Sequence, residues 1–173
     1  MPNPKLKQIV SYGDCRECRQ CCKFDDYYRT KFSPTIPKGQ SERLISSGIL
    51  GKEQLVEKEG GLRLKFLRQQ NGEYHCSCLG KGMECTLQKS KPFDCALYPF
   101  VLMRTKEKNI LMMVDETCPK IAKVKDSDEF MAHVQYLRKK FCTQGMGEFL
   151  LRNPHVVEPA QKGLKELFVV GGK

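Results

Sequence analysis

Four cysteines fall within eight residues, Cys15-Arg-Glu-Cys18-Arg-Gln-Cys21-Cys22, and six more follow at Cys76, Cys78, Cys85, Cys95, Cys118 and Cys142. Nothing else in the chain restricts its fold as much. Ten cysteines in 173 residues is far above ordinary usage, yet sparser than in a small disulfide scaffold. The length suits one compact domain. The start, Met-Pro-Asn-Pro-Lys-Leu-Lys, lacks the apolar segment of a secretory signal. The longest aliphatic run, Ile110 to Val114, is too short to span a membrane. The expected compartment is therefore the reducing cytoplasm, where thiols stay reduced and clustered cysteines serve metals or catalysis.

Spacing refines that expectation. Two successive two-residue gaps bring sulfurs close enough to chelate one ion or cluster. Neighbouring side chains diverge, so Cys21 and Cys22 can reach one metal only through a sharp backbone turn. The simpler expectation is that they serve different sites. Zinc favours four thiolates in a closed tetrahedron, commonly from two C-x-x-C pairs, and the later cysteines contain no such pair. A C-x-x-C-x-x-C run completed by a remote Cys-Pro, here Cys118-Pro119, is the pattern of an iron–sulfur ligand set. One partition is then Cys15, Cys18, Cys21 and Cys118 in one group, with Cys22, Cys78, Cys85 and Cys95 in the other. Iron–sulfur cluster or zinc both remain as cofactor. A purely structural role as small buried hydrophobes suits Cys142, beside Phe141 at a helix end. It suits the first cluster poorly, because those cysteines stand among Arg, Glu, Gln and Lys.

The remaining pattern gives an α+β fold: a small cysteine-rich metal-binding domain with short antiparallel hairpins and peripheral helices. A lead-in over 1–14 is expected to be loose. The cysteine-cluster core covers 15–121, and 122–173 forms a helical extension packed on it. Pro34 to Pro37 opens a helix through about Ser47, stopped by Gly48. A shorter helix is expected over 51–59. Leu62, Leu64 and Phe66 alternate with Arg63 and Lys65 as a strand, Asn71-Gly72 marks a turn, and the return strand runs to Cys78. A second hairpin pairs Phe100–Arg104 with Ile110–Asp115. Ser127 caps a helix from Asp128 to about Cys142, with Phe130, Val134, Leu137 and Phe141 on one face. A last helix is expected near Gln161 to Phe168.

The net charge of +10 hints at acidic partners, but the excess is spread along the chain rather than gathered in a stripe or tail. Two four-thiolate centres would reduce it to about +6. Nucleic acid is therefore a possible but unfavoured partner, a membrane is not expected, and the primary partner is a metal ion with an unidentified protein or redox partner. His75 adjoins Cys76, but on a strand its side chain points to the opposite face. His133 and His155 have no partner visible in the sequence. Tyr27, Tyr28 and Tyr98 are expected to cover the metal centre, and Asp25-Asp26 to form a solvated turn.

These boxes in this order resemble the CxxCxxCC family of zinc- or iron-chelating proteins, the YkgJ-type cysteine-cluster proteins. Cys15, Cys18, Cys21 and Cys22 match the first box; Cys78 and Cys85-Thr86-Leu87 match the middle. Lys91-Pro92-Phe93-Asp94-Cys95-Ala96-Leu97-Tyr98-Pro99 matches an Arg-Pro-x-x-Cys-Arg-x-x-Pro box, and Cys118-Pro119-Lys120-Ile121 a final Cys-Pro element. The resemblance implies a metal centre on those eight cysteines and leaves Cys76 and Cys142 outside it. Lys91 and Ala96 stand where the family usually carries arginines, so no bidentate contact is available at either place. Flagellin lysine methylases resemble this family, but the chain has no glycine-rich fingerprint for a methyl donor, and Gly145-Met146-Gly147 is too short to serve as one.

Overall fold

The computed structural model describes residues 4–58 and 61–171. It is a mixed α+β chain that divides into two compact units. The first is Met1–Leu6 with Ser11–Ala96, and the second is Lys7–Val10 with Leu97–Lys173. The cysteine-bearing stretch therefore extends through both. Ile9 and Val10 are buried, and the helical structure that carries the first cysteines begins at Tyr12.

The first unit contains α1 (Tyr12–Cys18), β1 (Lys23–Phe24), β2 (Thr35–Ile36), α2 (Lys38–Ser46), β3 (Leu55–Lys58), β4 (Gly61–Leu64), β5 (Phe66–Arg68) and β6 (Tyr74–Cys76), with α3 (Phe93–Leu97) at its end. Two three-stranded antiparallel sheets result, in the orders β2-β4-β3 and β1-β6-β5. The helix expected after Pro34 is α2. Gly48, at φ +71°, reverses the chain so that the amides of Ile49 and Leu50 both bond the Leu44 carbonyl, which returns Leu50 to the core. The alternating run from Leu62 to Phe66 belongs to two strands in different sheets rather than one. Asn71-Gly72 does form the predicted turn, with Gly72 at φ +86°.

The helix expected over 51–59 is not present in the described part of that stretch. Lys52–Gln54 is one 3-10 turn, and Leu55 onward is β3, paired with β4. The β-branched Val56 and the cross-strand contacts of Leu55 with Leu64 outweigh the weak helical pattern. Glu59 lies outside the described residues. Arg63 is only 2% exposed and donates to the Ser33 carbonyl at 2.7 Å, so a charge in β4 is accommodated by a backbone oxygen.

In the second unit, β7 (Phe100–Arg104) and β8 (Ile110–Val114) form the expected hairpin. They lie in a four-stranded sheet of order β10-β8-β7-β9, where β9 (Glu158–Pro159) runs parallel to β7. Three helices follow the hairpin: α4 (Pro119–Val124), α5 (Asp128–Phe141) and α6 (Gln144–Arg152). The Ser127 hydroxyl accepts from the Phe130 amide to cap α5, and Phe130, Val134, Leu137 and Phe141 are all buried. Each such side chain contributes about 1.5–3 kcal/mol. The helix expected near Gln161 to Phe168 is instead β10 (Lys165–Val169), paired to β8 through a bulge between Glu166 and Phe168. Gly163 at φ +85° breaks any helix there. Helix α6 has no expectation behind it, because Gly145 and Gly147 weaken its propensity. Its Thr143 cap and buried Met146 and Leu150 compensate.

The β1-β6-β5 sheet is fastened by one carboxylate. Glu73 accepts from Asn71 Nδ2 at 2.9 Å, bonds His75 Nε2 at 2.9 Å and pairs with Lys23 Nζ at 3.1 Å. Bonds from His75 first, then Asn71 and Lys23, hold its pKa down at about 2 instead of the usual 4.5. A carboxyl whose folded pKa is depressed stabilises the fold above its unfolded pKa, and that stabilisation disappears as pH falls through the folded value. Glu73→Gln should therefore flatten the fall in melting temperature between pH 4.5 and about 2, measured by thermal unfolding across that window. An unaltered slope would contradict the assignment.

Candidate functional site

Helix α1 presents the first pair of cysteines. Ser11 and Asp14 form a reciprocal capping box: the Asp14 amide donates to Ser11 Oγ at 3.1 Å, and the Ser11 amide to Asp14 Oδ2 at 2.8 Å. Cys15 and Cys18, three residues apart, share a helix face. The helix ends at Arg19, in the left-handed region at φ 56°, whose amide bonds the Cys15 carbonyl at 3.1 Å. The Cys22 amide then closes on the Arg19 carbonyl at 2.8 Å. This is the sharp turn that adjacent cysteines require in order to converge. The two thiols act on one another in a way that favours ionisation of Cys22 and opposes that of Cys21.

The Cys22 carbonyl accepts from the Cys76 amide at 2.8 Å, which ties this turn to β6. Just beyond β6, the Thr86 amide bonds the Cys78 carbonyl at 2.9 Å, and Leu79 forms an isolated bridge with Cys85. One small loop thus carries Cys78 and Cys85. The Cys76 and Cys78 thiols act on one another in the same way, which lowers the Cys78 pKa and raises that of Cys76. Gln54 steadies the same loop, donating to the Ser77 carbonyl at 2.9 Å and lying 3.7 Å from Cys78 Sγ.

Cys95 comes from α3, and the segment leading to it is held at both ends. Gln40 of α2 donates through Nε2 to the Lys91 carbonyl at 2.8 Å and accepts through Oε1 from the Phe93 amide at 3.0 Å. Asp94 accepts from both the amide and the hydroxyl of Thr35 in β2. The fixed loop aims Lys91 Nζ at Cys15 Sγ, 3.3 Å away.

Cys76 and Cys78 belong to a core with Ile36, Leu44, Leu50, Leu64 and Leu87, and Cys22, Cys85 and Cys95 pack against it. A charge on Cys22 is felt at Cys78, Cys85 and Cys95, and one on Cys85 is felt at Cys95. Burial pushes the Cys85 and Cys95 thiols up, most strongly Cys95, and the repulsion of Cys22 adds to both. For Cys22, the Cys21 thiol comes first in lowering its pKa, and the charges of Lys91 and Arg19 add to it. Cys15 and Cys95 in turn act on Cys21.

Of the eight cysteines singled out from spacing, the first unit holds Cys15, Cys18, Cys21, Cys22, Cys78, Cys85 and Cys95. Cys22, Cys78, Cys85 and Cys95 are neighbours about one core, and Cys76 joins them. Cys18 is half-buried on α1. Cys118 lies in the second unit, as the residue before Pro119 at the start of α4, and Cys142 is exposed at the end of α5. No cysteine forms a disulfide. Among the described residues, no three His, Cys, Asp or Glu side chains stand close enough together to hold a metal ion.

The other candidates resolve simply. His75 is taken up by Glu73. His133 is buried and stacked on Phe100 at 5.2 Å, and desolvation lowers its pKa. His155 lies in a 3-10 turn. Tyr27 and Tyr28 are 68% and 69% exposed, too open to serve as the expected lid. Tyr98 donates to Asp115 in the second unit. Asp25 and Asp26 are exposed and bonded to Arg29, as a solvated turn should be. Sequence spacing gave no sign of Gln40, Gln54, Thr35 or Arg19. Only Lys91 was marked, as a departure from arginine.

No family model matches the chain, and no curated protein or solved structure is detectably similar to it. No described helix is long and apolar enough to cross a membrane.

The loop clamp has a measurable consequence. Gln40→Ala leaves a buried amide and a carbonyl without partners, at about 1–3 kcal/mol each. Urea denaturation should show a loss of about 2–4 kcal/mol for this variant; a change under about 0.5 kcal/mol would mean that the loop is held some other way.

Proposed function

We propose that this chain is a metal-chelating cysteine-cluster protein, holding iron as an iron–sulfur cluster or zinc, with a structural or redox role. Cys22, Cys78, Cys85 and Cys95 provide one thiolate set; Cys15, Cys18 and Cys21 are the further donors of the same unit, and Cys118 is a separate candidate in the second. The observation that carries this reading is the convergence of Cys22, Cys78, Cys85 and Cys95 on one core from a turn, a loop and a helix. Sulfurs packed only as small hydrophobes have no need of a lysine ammonium against one of them, nor of an Arg19 turn that aligns two more.

The energetics agree. Burial opposes ionisation of Cys85 and Cys95, and each thiolate opposes the next. A bound cation reverses that balance, because it is the largest local charge and requires deprotonated ligands. When bound, iron–sulfur chemistry would supply electron transfer, whereas zinc would supply cross-linking of the loops. The chain's own residues position the sulfurs, exclude water from them and provide compensating positive charge. The resemblance to the CxxCxxCC family favours the same conclusion and adds no substrate.

Elemental analysis and anaerobic absorbance of the full chain, purified without chelators, test the reading. Bound iron with a broad visible band that bleaches on reduction would indicate a cluster; bound zinc without that band would indicate a structural ion. Cys22→Ser and Cys95→Ser should each lose most of the metal, and Cys142→Ser should keep it. A fully folded wild-type chain that takes up neither metal would overturn the proposal.

A further inference from the structure

We propose that His133 is a pH-sensitive latch on the N-terminal strap Lys7–Val10, holding the strap on α5 while its imidazole is neutral and releasing it when the ring takes up a proton. The device lies in the second unit and is separate from the metal-binding reading above. The strap belongs to that unit, and Ile9 and Val10 are buried. It is fastened to α5 by a hydrogen bond from the Lys7 amide to the Tyr136 hydroxyl at 2.9 Å. Glu129, His133 and Tyr136 follow one another at i, i+4 and i+7, so they form one stripe of the helix, and the strap meets that stripe at Tyr136. Val10 leads directly into Ser11, the cap of α1, so the latch fixes the chain where it enters the cysteine-bearing helix.

His133 is only 7% exposed. Its ring stacks on Phe100 of β7, with centroids 5.2 Å apart, and is tilted against Tyr136 at 5.6 Å. Among the described residues nothing hydrogen-bonds that ring, so the site suits the neutral form and offers a charged one no acceptor. Two charges act on it. Lys7, from the strap, repels a proton on the ring, and Glu129, from α5 itself, attracts one. Glu129 is already paired with Lys120 of α4 at 3.3 Å, which offsets its attraction. From β7 comes only the uncharged Phe100, itself stacked on Phe130 at 6.1 Å. Desolvation first, then Lys7, hold the His133 pKa below the ordinary 6.5. A histidine held down in the docked form gains protons on release. Docking is therefore at full strength above the undocked pKa and weakens as pH falls below it. The strap yields rather than α5, because Phe130, Val134, Leu137 and Phe141 bury α5 in the core.

Amide hydrogen exchange of the full chain, followed by NMR and corrected for the intrinsic effect of pH, tests the latch. Between about pH 7.5 and about pH 5.5, protection of the Lys7 amide should fall roughly fivefold to tenfold, while the amides of β7 and β8 keep theirs. His133→Phe keeps a ring against Phe100 and cannot take up a proton, so its Lys7 amide should stay protected at both pH values. Tyr136→Phe removes the acceptor and should leave that amide unprotected throughout. Lys7→Gln removes the repelling charge, so it should raise the midpoint of the His133 ring titration and shrink the loss of protection. A wild-type Lys7 amide equally protected over this range overturns the latch. So does a His133→Phe chain that loses protection as wild type does, or a loss shared by β7 and β8, which is general unfolding. If His133→Phe does not fold, Lys7→Gln decides: a ring midpoint that it leaves unmoved overturns the repulsion on which the latch depends.

Discussion

One primary amide organises the first unit. Gln40, on the buried face of α2, satisfies a carbonyl and an amide on either side of Pro92. Proline cannot donate, and the carbonyl before it and the amide after it lie ahead of the first closed turn of α3, so those flanking groups need a partner from elsewhere. The partner comes from the helix that also supplies Leu44 and, through the Gly48 reversal, Leu50 to the core. The segment bearing Lys91 and Cys95 is thus joined to the hydrophobic interior by hydrogen bonds, and the Asp94 contacts to Thr35 add a second attachment. Placement of Cys95 follows from these bonds, which hold the start of a helix only five residues long.

The thiols themselves are in tension. Packing moves Cys85 and Cys95 away from the charged state, while the adjoining thiols of Cys21 and Cys76 move Cys22 and Cys78 toward it. Each adjoining pair therefore contains one sulfur predisposed to ionise and one that resists. That asymmetry arises from local chain geometry: a left-handed residue at Arg19 in one case, and the end of β6 in the other. It explains why Cys22 and Cys78 are shifted toward the ionised state and Cys85 and Cys95 away from it.

Much of this was legible in advance where a local signal agreed with the tertiary environment. The second hairpin, the capped helix from Asp128 and the turn at Gly72 all combine periodicity with turn or cap chemistry. The errors came where a short amphipathic run had two readings. Residues near Leu55 and near Phe168 pair with β4 and β8, and only the partner strand, distant in sequence, decides for a strand. Helix α6 was hidden by its two glycines. At the site, cysteine spacing grouped Cys22, Cys78, Cys85 and Cys95, which all lie in or against one core, but it left out Cys76 of that core and grouped Cys118 with cysteines of the other unit. Spacing gave no access to Gln40 or Arg19, because a clamp across fifty residues and a left-handed turn have no periodic signature.

The segment that carries Cys15 and Cys18 differs from the rest in one respect. Helix α1 has seven residues and buries no side chain. It is maintained by its capping box, by the Arg19 turn and by the contact of Lys91 with Cys15. A helix of that length without a packed face opens locally at far less cost than the core loops that hold Cys78 or Cys95. The two sides of the thiol cluster are therefore held unequally: Cys78 and Cys95 by packed, hydrogen-bonded loops, and Cys15 and Cys18 by a short helix with no buried face. An ion bound as proposed above would owe its retention to the first side and its exchange to the second.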